Sequence, residues 1–144
     1  MTVIRQDDLI ESVADALQFI SYYHPVDFIQ AVNLAYEHEE SPAARDALAQ
    51  ILINSRMSAT GRRPLCQDTG IVTVFVKIGM DVSWKGSTMS VSKMINEGVR
   101  RAYTHPDNVL RASILEDPDG ARKNSEDNTP AVIHYEIVEG DTVD

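Results

Sequence analysis

The stretch that decides the fold is Ile71-Val72-Thr73-Val74-Phe75-Val76-Lys77-Ile78, which lies between Gly70 and Gly79. It is rich in β-branched and aromatic residues, which favour a pleated and largely buried backbone. The stretch therefore predicts a buried strand, which Met80–Trp84 either extends or pairs with. A second strand is predicted from Ala131 to Val138, where the two sets of alternating residues fit a half-buried strand.

Four helices are predicted from apolar residues that recur at three- and four-residue steps. They are Asp7–Tyr23, Val26–Glu39, Pro42 to about Ser58–Gly61, and about Ser90–Tyr103. Pro25 ends the first helix, and Ser41-Pro42 is typical of a helix start. Residues 104–130 are predicted to be a long loop. We expect an α+β fold, with a helical layer packed on a small mixed or antiparallel sheet.

Composition narrows the class of protein. The chain has 144 residues, 43% of them hydrophobic and 24% charged, which is typical of one compact globular domain. A net charge of −9 argues against nucleic acid and against anionic membranes as partners. The single cysteine, Cys66, excludes an intramolecular disulfide and favours a reducing, cytoplasmic setting.

The segment Arg62-Arg63-Pro64-Leu65-Cys66-Gln67-Asp68-Thr69-Gly70 places a thiol, an amide, a carboxylate and a hydroxyl between a helix and a strand. Folds often present functional groups at such junctions. From the residues alone, alternatives stay open: Cys66 could be a small buried apolar residue, and Asp68 could cap a turn. One thiolate by itself holds neither a zinc ion nor an iron–sulfur cluster.

Four motifs in this chain closely resemble the amino-terminal part of class I fumarases, the iron–sulfur hydro-lyases that include L-tartrate dehydratase. They are Arg63–Gly79, which contains Pro64-Leu65-Cys66-Gln67-Asp68-Thr69-Gly70, then Ile95-Asn96-Glu97-Gly98-Val99-Arg100-Arg101-Ala102-Tyr103, Asn108-Val109-Leu110-Arg111-Ala112-Ser113, and Asp127-Asn128-Thr129-Pro130-Ala131-Val132-Ile133-His134. Four matches in the order of the family are far more specific than any one of them.

The resemblance implies a [4Fe-4S] cluster held by three cysteines, with its fourth iron open to substrate. Cys66 corresponds to the first of these ligands. Gln67 is expected to donate to a substrate carboxylate, and Asp68 to be a catalytic residue that hydrogen-bonds near the substrate hydroxyl. Arg111 is expected to clamp a carboxylate of the dicarboxylate substrate, because its planar fork can pair with both oxygens.

By this resemblance, the parent enzyme hydrates fumarate to (S)-malate and is a homodimer. Residues 1–144 are expected to be its amino-terminal portion, truncated before the remaining cluster ligands and the general base. The chain alone is then expected to lack the cluster and to be inactive. Two alternatives stay open: an α subunit of L-tartrate dehydratase or of a two-subunit fumarase, and a non-catalytic interaction or dimerisation module.

Overall fold

The structure, a computed structural model, describes residues 2–66 and 70–144. Its helices are α1 (Gln6–Tyr22), α2 (Val26–His38), α3 (Pro42–Gly61) and α4 (Val91–Thr104). Its strands are β1 (Thr2–Val3), β2 (Thr73–Gly79), β3 (Val82–Ser83), β4 (Leu115–Glu116), β5 (Lys123–Asn124) and β6 (Val132–Val138). The predicted α+β fold is confirmed. No helix among the described residues is long and apolar enough to cross a membrane.

The four predicted helices are present, with ends that differ by only a residue or two. Pro42 takes the first helical position of α3, but the Ser41 side chain makes no capping hydrogen bond. At α4, by contrast, the Ser90 hydroxyl accepts a long hydrogen bond of 3.4 Å from the Lys93 amide. Both predicted helix starts are confirmed, and of these two serines Ser90 caps its helix whereas Ser41 does not.

The chain divides into two compact units, Met1–Leu17 with Asp68–Asp144, and Gln18–Gln67. The second unit contains the end of α1 with α2 and α3, and α2 packs against α3. The first unit contains the start of α1, α4 and all six strands.

The main sheet of the first unit is a parallel pair, β2 with β6, in a register that runs from Thr73 opposite Val132 to Gly79 opposite Val138. An antiparallel bridge joins Ile78 to Val143, so the sheet is mixed. A parallel pair needs a long crossover connection, which α4 and the segment after it supply.

Three local predictions need correction. The predicted buried strand is only half-buried, since Val76 lies in the core whereas Phe75 is 75% exposed. The segment after β2 neither extends that strand nor pairs with it, because β3 pairs with β1. The predicted loop at 104–130 also contains structure, since β4 and β5 form a short antiparallel pair within it. Each of these strands is only two residues long, and the segment between them is rich in turn residues, so the sequence pattern does not indicate a strand there.

The apolar core of the first unit lies between α1, α4 and β2. Its buried residues are Ile10, Val72, Val76, Met94, Ile95, Val99, Ala102, Tyr103 and Leu110. Val72 and Val76 follow the two-residue period of a strand face, whereas the α4 residues follow the three- and four-residue steps of a helix face. A Cβ atom built on Gly98 would lie 2.7 Å from the Ile10 carbonyl oxygen and 2.7 Å from the Val13 Cβ atom. The absence of a side chain at Gly98 therefore lets α4 approach α1 closely.

Gly98→Ala is expected to lower the free energy of unfolding by about 1–3 kcal/mol, because the added methyl group pushes the α1 backbone away from α4. Denaturant unfolding measures the change. Gly61→Ala is the matched control: it adds the same methyl group near the end of α3, where the nearest atoms lie at ordinary contact distances of 3.6–3.7 Å. Equal effects of the two substitutions would contradict close packing at Gly98.

Candidate functional site

The segment that leads to Cys66 begins with a sharp turn off α3. Arg62 has a left-handed backbone, with φ 47° and ψ 53°, and its N–H group donates to the Ser58 carbonyl. The Arg63 N–H group donates to the same carbonyl at 3.1 Å. These bonds satisfy the end of the helix and redirect the chain towards Cys66.

Leu65, the residue before the cysteine, is held through both of its backbone groups. Its N–H group donates to the Ser21 carbonyl at 2.9 Å, and its carbonyl accepts from the Asn54 side-chain amide at 2.9 Å. The Cys66 side chain is exposed. The alternative of a small buried apolar residue is therefore wrong, since the thiol stands at the surface on an anchored backbone.

Gln67 and Asp68 lie outside the described residues. Their roles as carboxylate donor and catalytic residue therefore stay predictions.

Arg111 lies on a loop that is anchored on either side of it. Before Arg111, the Asn108 side chain donates to the carbonyls of Tyr103 and Leu110 at 2.8 and 2.9 Å and accepts from the Leu110 amide at 2.9 Å. Leu110 itself is buried. After it, the Ala112 carbonyl accepts from the Asn124 side chain at 2.8 Å. The Arg111 side chain is exposed, so the loop presents a guanidinium group at the surface.

Sequence reasoning missed Asn128, a buried residue that bonds to segments next in sequence to two of the predicted site residues. It lies within the fourth motif, but nothing in the sequence distinguishes it, because most asparagines are exposed. In the structure it is fully buried, with 0% exposure, and its side chain bonds to Gly70, Ser113 and Ile114. It therefore joins the segment that follows Asp68 to the segment that follows Arg111.

The second motif forms an ion-pair cluster on α4. Glu97 accepts from Arg100 at 2.6 and 2.7 Å and from Arg101 at 3.0 Å. The hydrogen bond from Arg100, helped by that from Arg101, lowers the pKa of Glu97 from 4.5 to about 2, although burial opposes the shift. Both arginines stay nearly half exposed, so water screens the pairs.

These residues fit one ligand of an iron–sulfur cluster and no more. The exposed thiol of Cys66 suits a metal, since thiolates bind such clusters. Within residues 2–66 and 70–144, no three His, Cys, Asp or Glu side chains are grouped so that they could hold a metal ion. A cleft of about 350 Å³ in the first unit has a mainly apolar lining that includes neither Cys66 nor Arg111.

Comparison with known proteins agrees with the motifs. The sequence model of the family described as "Fumarate hydratase (Fumerase)" matches residues 10–144. The chain belongs to this family. A protein of Methanocaldococcus jannaschii named "Putative L(+)-tartrate dehydratase subunit alpha" is 33% identical over 90 residues. The aligned stretch is 62% of this chain but only 31% of that relative.

Membership of the fumarate hydratase family confirms the resemblance to the amino-terminal part of class I fumarases and relates the chain to hydro-lyases. The matched region contains Cys66, Glu97, Arg111 and Asn128.

Glu97→Gln is expected to lower the free energy of unfolding by about 1 kcal/mol at pH 7, the upper end for pairs open to water. The pKa of Glu97 is lowered in the folded state, so this stabilisation is present above pH 4.5 and is lost as the pH falls towards 2. Denaturant unfolding should be measured from pH 7 down to pH 3. The difference in the free energy of unfolding between variant and wild type should shrink as the pH falls.

The control for Glu97→Gln is Glu136→Gln. Glu136 pairs with Lys77 at 3.5 Å, and both side chains are about 60% exposed. We expect a change of no more than about 0.3 kcal/mol there. An effect of Glu97→Gln that does not depend on pH would contradict the ion-pair explanation.

Proposed function

We propose that this chain provides the first cysteine ligand of a [4Fe-4S] cluster and one arginine of the dicarboxylate site in an enzyme that hydrates fumarate to (S)-malate. The observation that carries the proposal is the exposed thiol of Cys66 on an anchored backbone, in a chain of the fumarate hydratase family. The chain has one cysteine, so the other ligands come from elsewhere in the enzyme.

Cys66 is the residue that would hold the cluster. When bound, the cluster supplies a Lewis-acidic iron to the substrate hydroxyl. The hydrogen bonds at Leu65 keep the backbone beside the thiol in place before a metal binds. Less conformational entropy is then lost on binding, since fixing one residue costs about 1–2 kcal/mol.

The residues of this chain that would bind the substrate are Arg111, Gln67 and Asp68. The Arg111 guanidinium offers two parallel N–H groups to one carboxylate of the substrate. Gln67 donates to a carboxylate, and Asp68 accepts a hydrogen bond from the substrate hydroxyl and so orients it. The proton on the neighbouring carbon is removed by a base outside this chain. Homodimer formation and a cytoplasmic setting belong to the same proposal.

A second candidate reaction is the dehydration of L-tartrate, which the name of the M. jannaschii relative favours. Tartrate carries one more hydroxyl group than malate, on the carbon that is a CH2 group in malate, so the two substrates need different protein groups around that carbon. The assembled enzyme, prepared without oxygen, should be assayed with fumarate, (S)-malate and L-tartrate. Turnover of L-tartrate alone would replace the fumarate proposal with this one.

Cys66→Ser is expected to abolish retention of the cluster and at least 99% of the activity of the assembled enzyme, since a hydroxyl group is a poor ligand for iron in such a cluster. Iron and sulfide content and the visible absorption band measure the loss. The far-UV circular dichroism, which reports the secondary structure, should stay unchanged, because Leu65 and its hydrogen-bond partners remain. A variant with full iron content and activity would remove Cys66 from the site.

Arg111→Lys is expected to raise KM for the dicarboxylate by about tenfold or more while the iron content stays constant, because the charge remains but the fork is lost. Steady-state kinetics measure the change. Arg122→Lys is the matched control: Arg122 is also exposed, and its Nε atom donates only locally to the Pro118 carbonyl, at 3.2 Å. Equal values of KM for the two variants would count against a substrate role for Arg111.

A further inference from the structure

The side chain of Asn128 is fully buried and connects three segments of the first unit. Its Oδ1 atom accepts from the Ser113 amide at 2.7 Å and from the Ile114 amide at 3.3 Å. Its Nδ2 atom donates to the Gly70 carbonyl at 3.2 Å. The partners are 15, 14 and 58 residues away in sequence, so these bonds hold together parts of the chain that local structure does not.

Few side chains can replace this one. The cavity offers two N–H donors on one side and a carbonyl acceptor on the other, and a short amide is the group that matches both. The backbone of Asn128 is also left-handed, with φ 59°, a conformation that asparagine tolerates better than most residues. Conformation and hydrogen bonding therefore select the same residue.

The segment around Asn128 is itself held firmly. The Asp127 carboxylate accepts from the Thr129 amide at 3.0 Å and from its hydroxyl at 2.8 Å. The Ala131 amide donates to the Asn96 side chain of α4 at 2.8 Å. Asn128 thus extends from a backbone that is fixed to α4, and a shift of its amide group would have to move several bonds at once.

The two ends of this connection lie beside the proposed site residues in sequence. Gly70 is two residues after Asp68, and Ser113 is two residues after Arg111. We propose that Asn128 is a positioning residue that holds Gly70 against the loop that carries Arg111. This inference rests on the proposed function, because it assigns the positioning to that site. Asn128 does not touch the substrate; it acts through Gly70 and Ser113.

The test is Asn128→Asp in the assembled enzyme. Its carboxylate still accepts from Ser113 and Ile114, so the Arg111 loop keeps its place and KM should change less than about twofold. An ionised carboxylate cannot donate to the Gly70 carbonyl, so kcat should fall by about tenfold to a hundredfold, as for small displacements of reacting groups. When the pH is lowered and the carboxyl group is protonated, its O–H group can donate to Gly70, and kcat should recover relative to wild type.

Two further variants separate the two ends of the connection. Asn128→Gly keeps the left-handed backbone but loses all three bonds, so kcat should fall and KM should rise together. Asn124→Asp loses the bond to the Ala112 carbonyl but has no bond to Gly70, so KM should rise with little change in kcat. A merely structural role of Asn128 would change thermal stability and the folded fraction without this division between KM and kcat.

Hydrogen exchange of the wild-type enzyme tests the bonds without any variant or any activity. The Ser113 and Ile114 amides should exchange at least a hundredfold more slowly than in an unstructured peptide. Exchange at the unstructured rate overturns the inference, as does a kcat for folded Asn128→Asp equal to that of wild type at every pH. A wild-type enzyme that binds no cluster and turns over no dicarboxylate instead overturns the proposed function, while slow exchange would still show the connection.

Discussion

The parallel pairing of β2 with β6 is the constraint on which the site geometry depends. Because the strands run in the same direction with Thr73 opposite Val132, the residues that precede them meet at the same end of the sheet. The Val132 amide donates to the Val72 carbonyl at 2.9 Å, which carries the pairing back towards the segment before β2. Gly70 and Asn128, three and four residues before the paired positions, therefore come within hydrogen-bond distance. An antiparallel pairing would have placed them at opposite ends.

The sequence predicted the elements better than their partners. Helices α1 to α4 follow from local amphipathic spacing, and the density of β-branched residues at 71–78 is sufficient to predict β2. Alternation within a strand does not encode direction, so the sheet stayed open between mixed and antiparallel. The pairing of β3 with β1 depends on residues about 80 positions apart, which local patterns cannot show. Local patterns also failed to indicate β4 and β5, because each is only two residues long and they lie in a segment rich in turn residues.

The candidate site was predictable only where a motif marked it. Family resemblance, and not spacing, singled out Cys66 and Arg111, and the structure shows both as exposed side chains on anchored backbones. Asn128 lay inside a recognised motif, yet its importance depends on complete burial, a property of the tertiary structure. A buried amide without partners costs about 1–3 kcal/mol, so burial and bonding of this residue must be encoded together. A single sequence shows neither the burial of Asn128 nor its hydrogen bonds.

The anchoring of Cys66 has a further consequence under the proposed function. In small zinc domains the metal supplies the free energy of folding, and the ligand segments are unfolded without it. Here Leu65, just before the thiol, donates to the Ser21 carbonyl of α1 and accepts from the Asn54 side chain of α3, so protein groups alone hold this backbone. The fold of this unit should therefore not depend on the cluster, and loss of the cluster would remove chemistry and leave the scaffold intact.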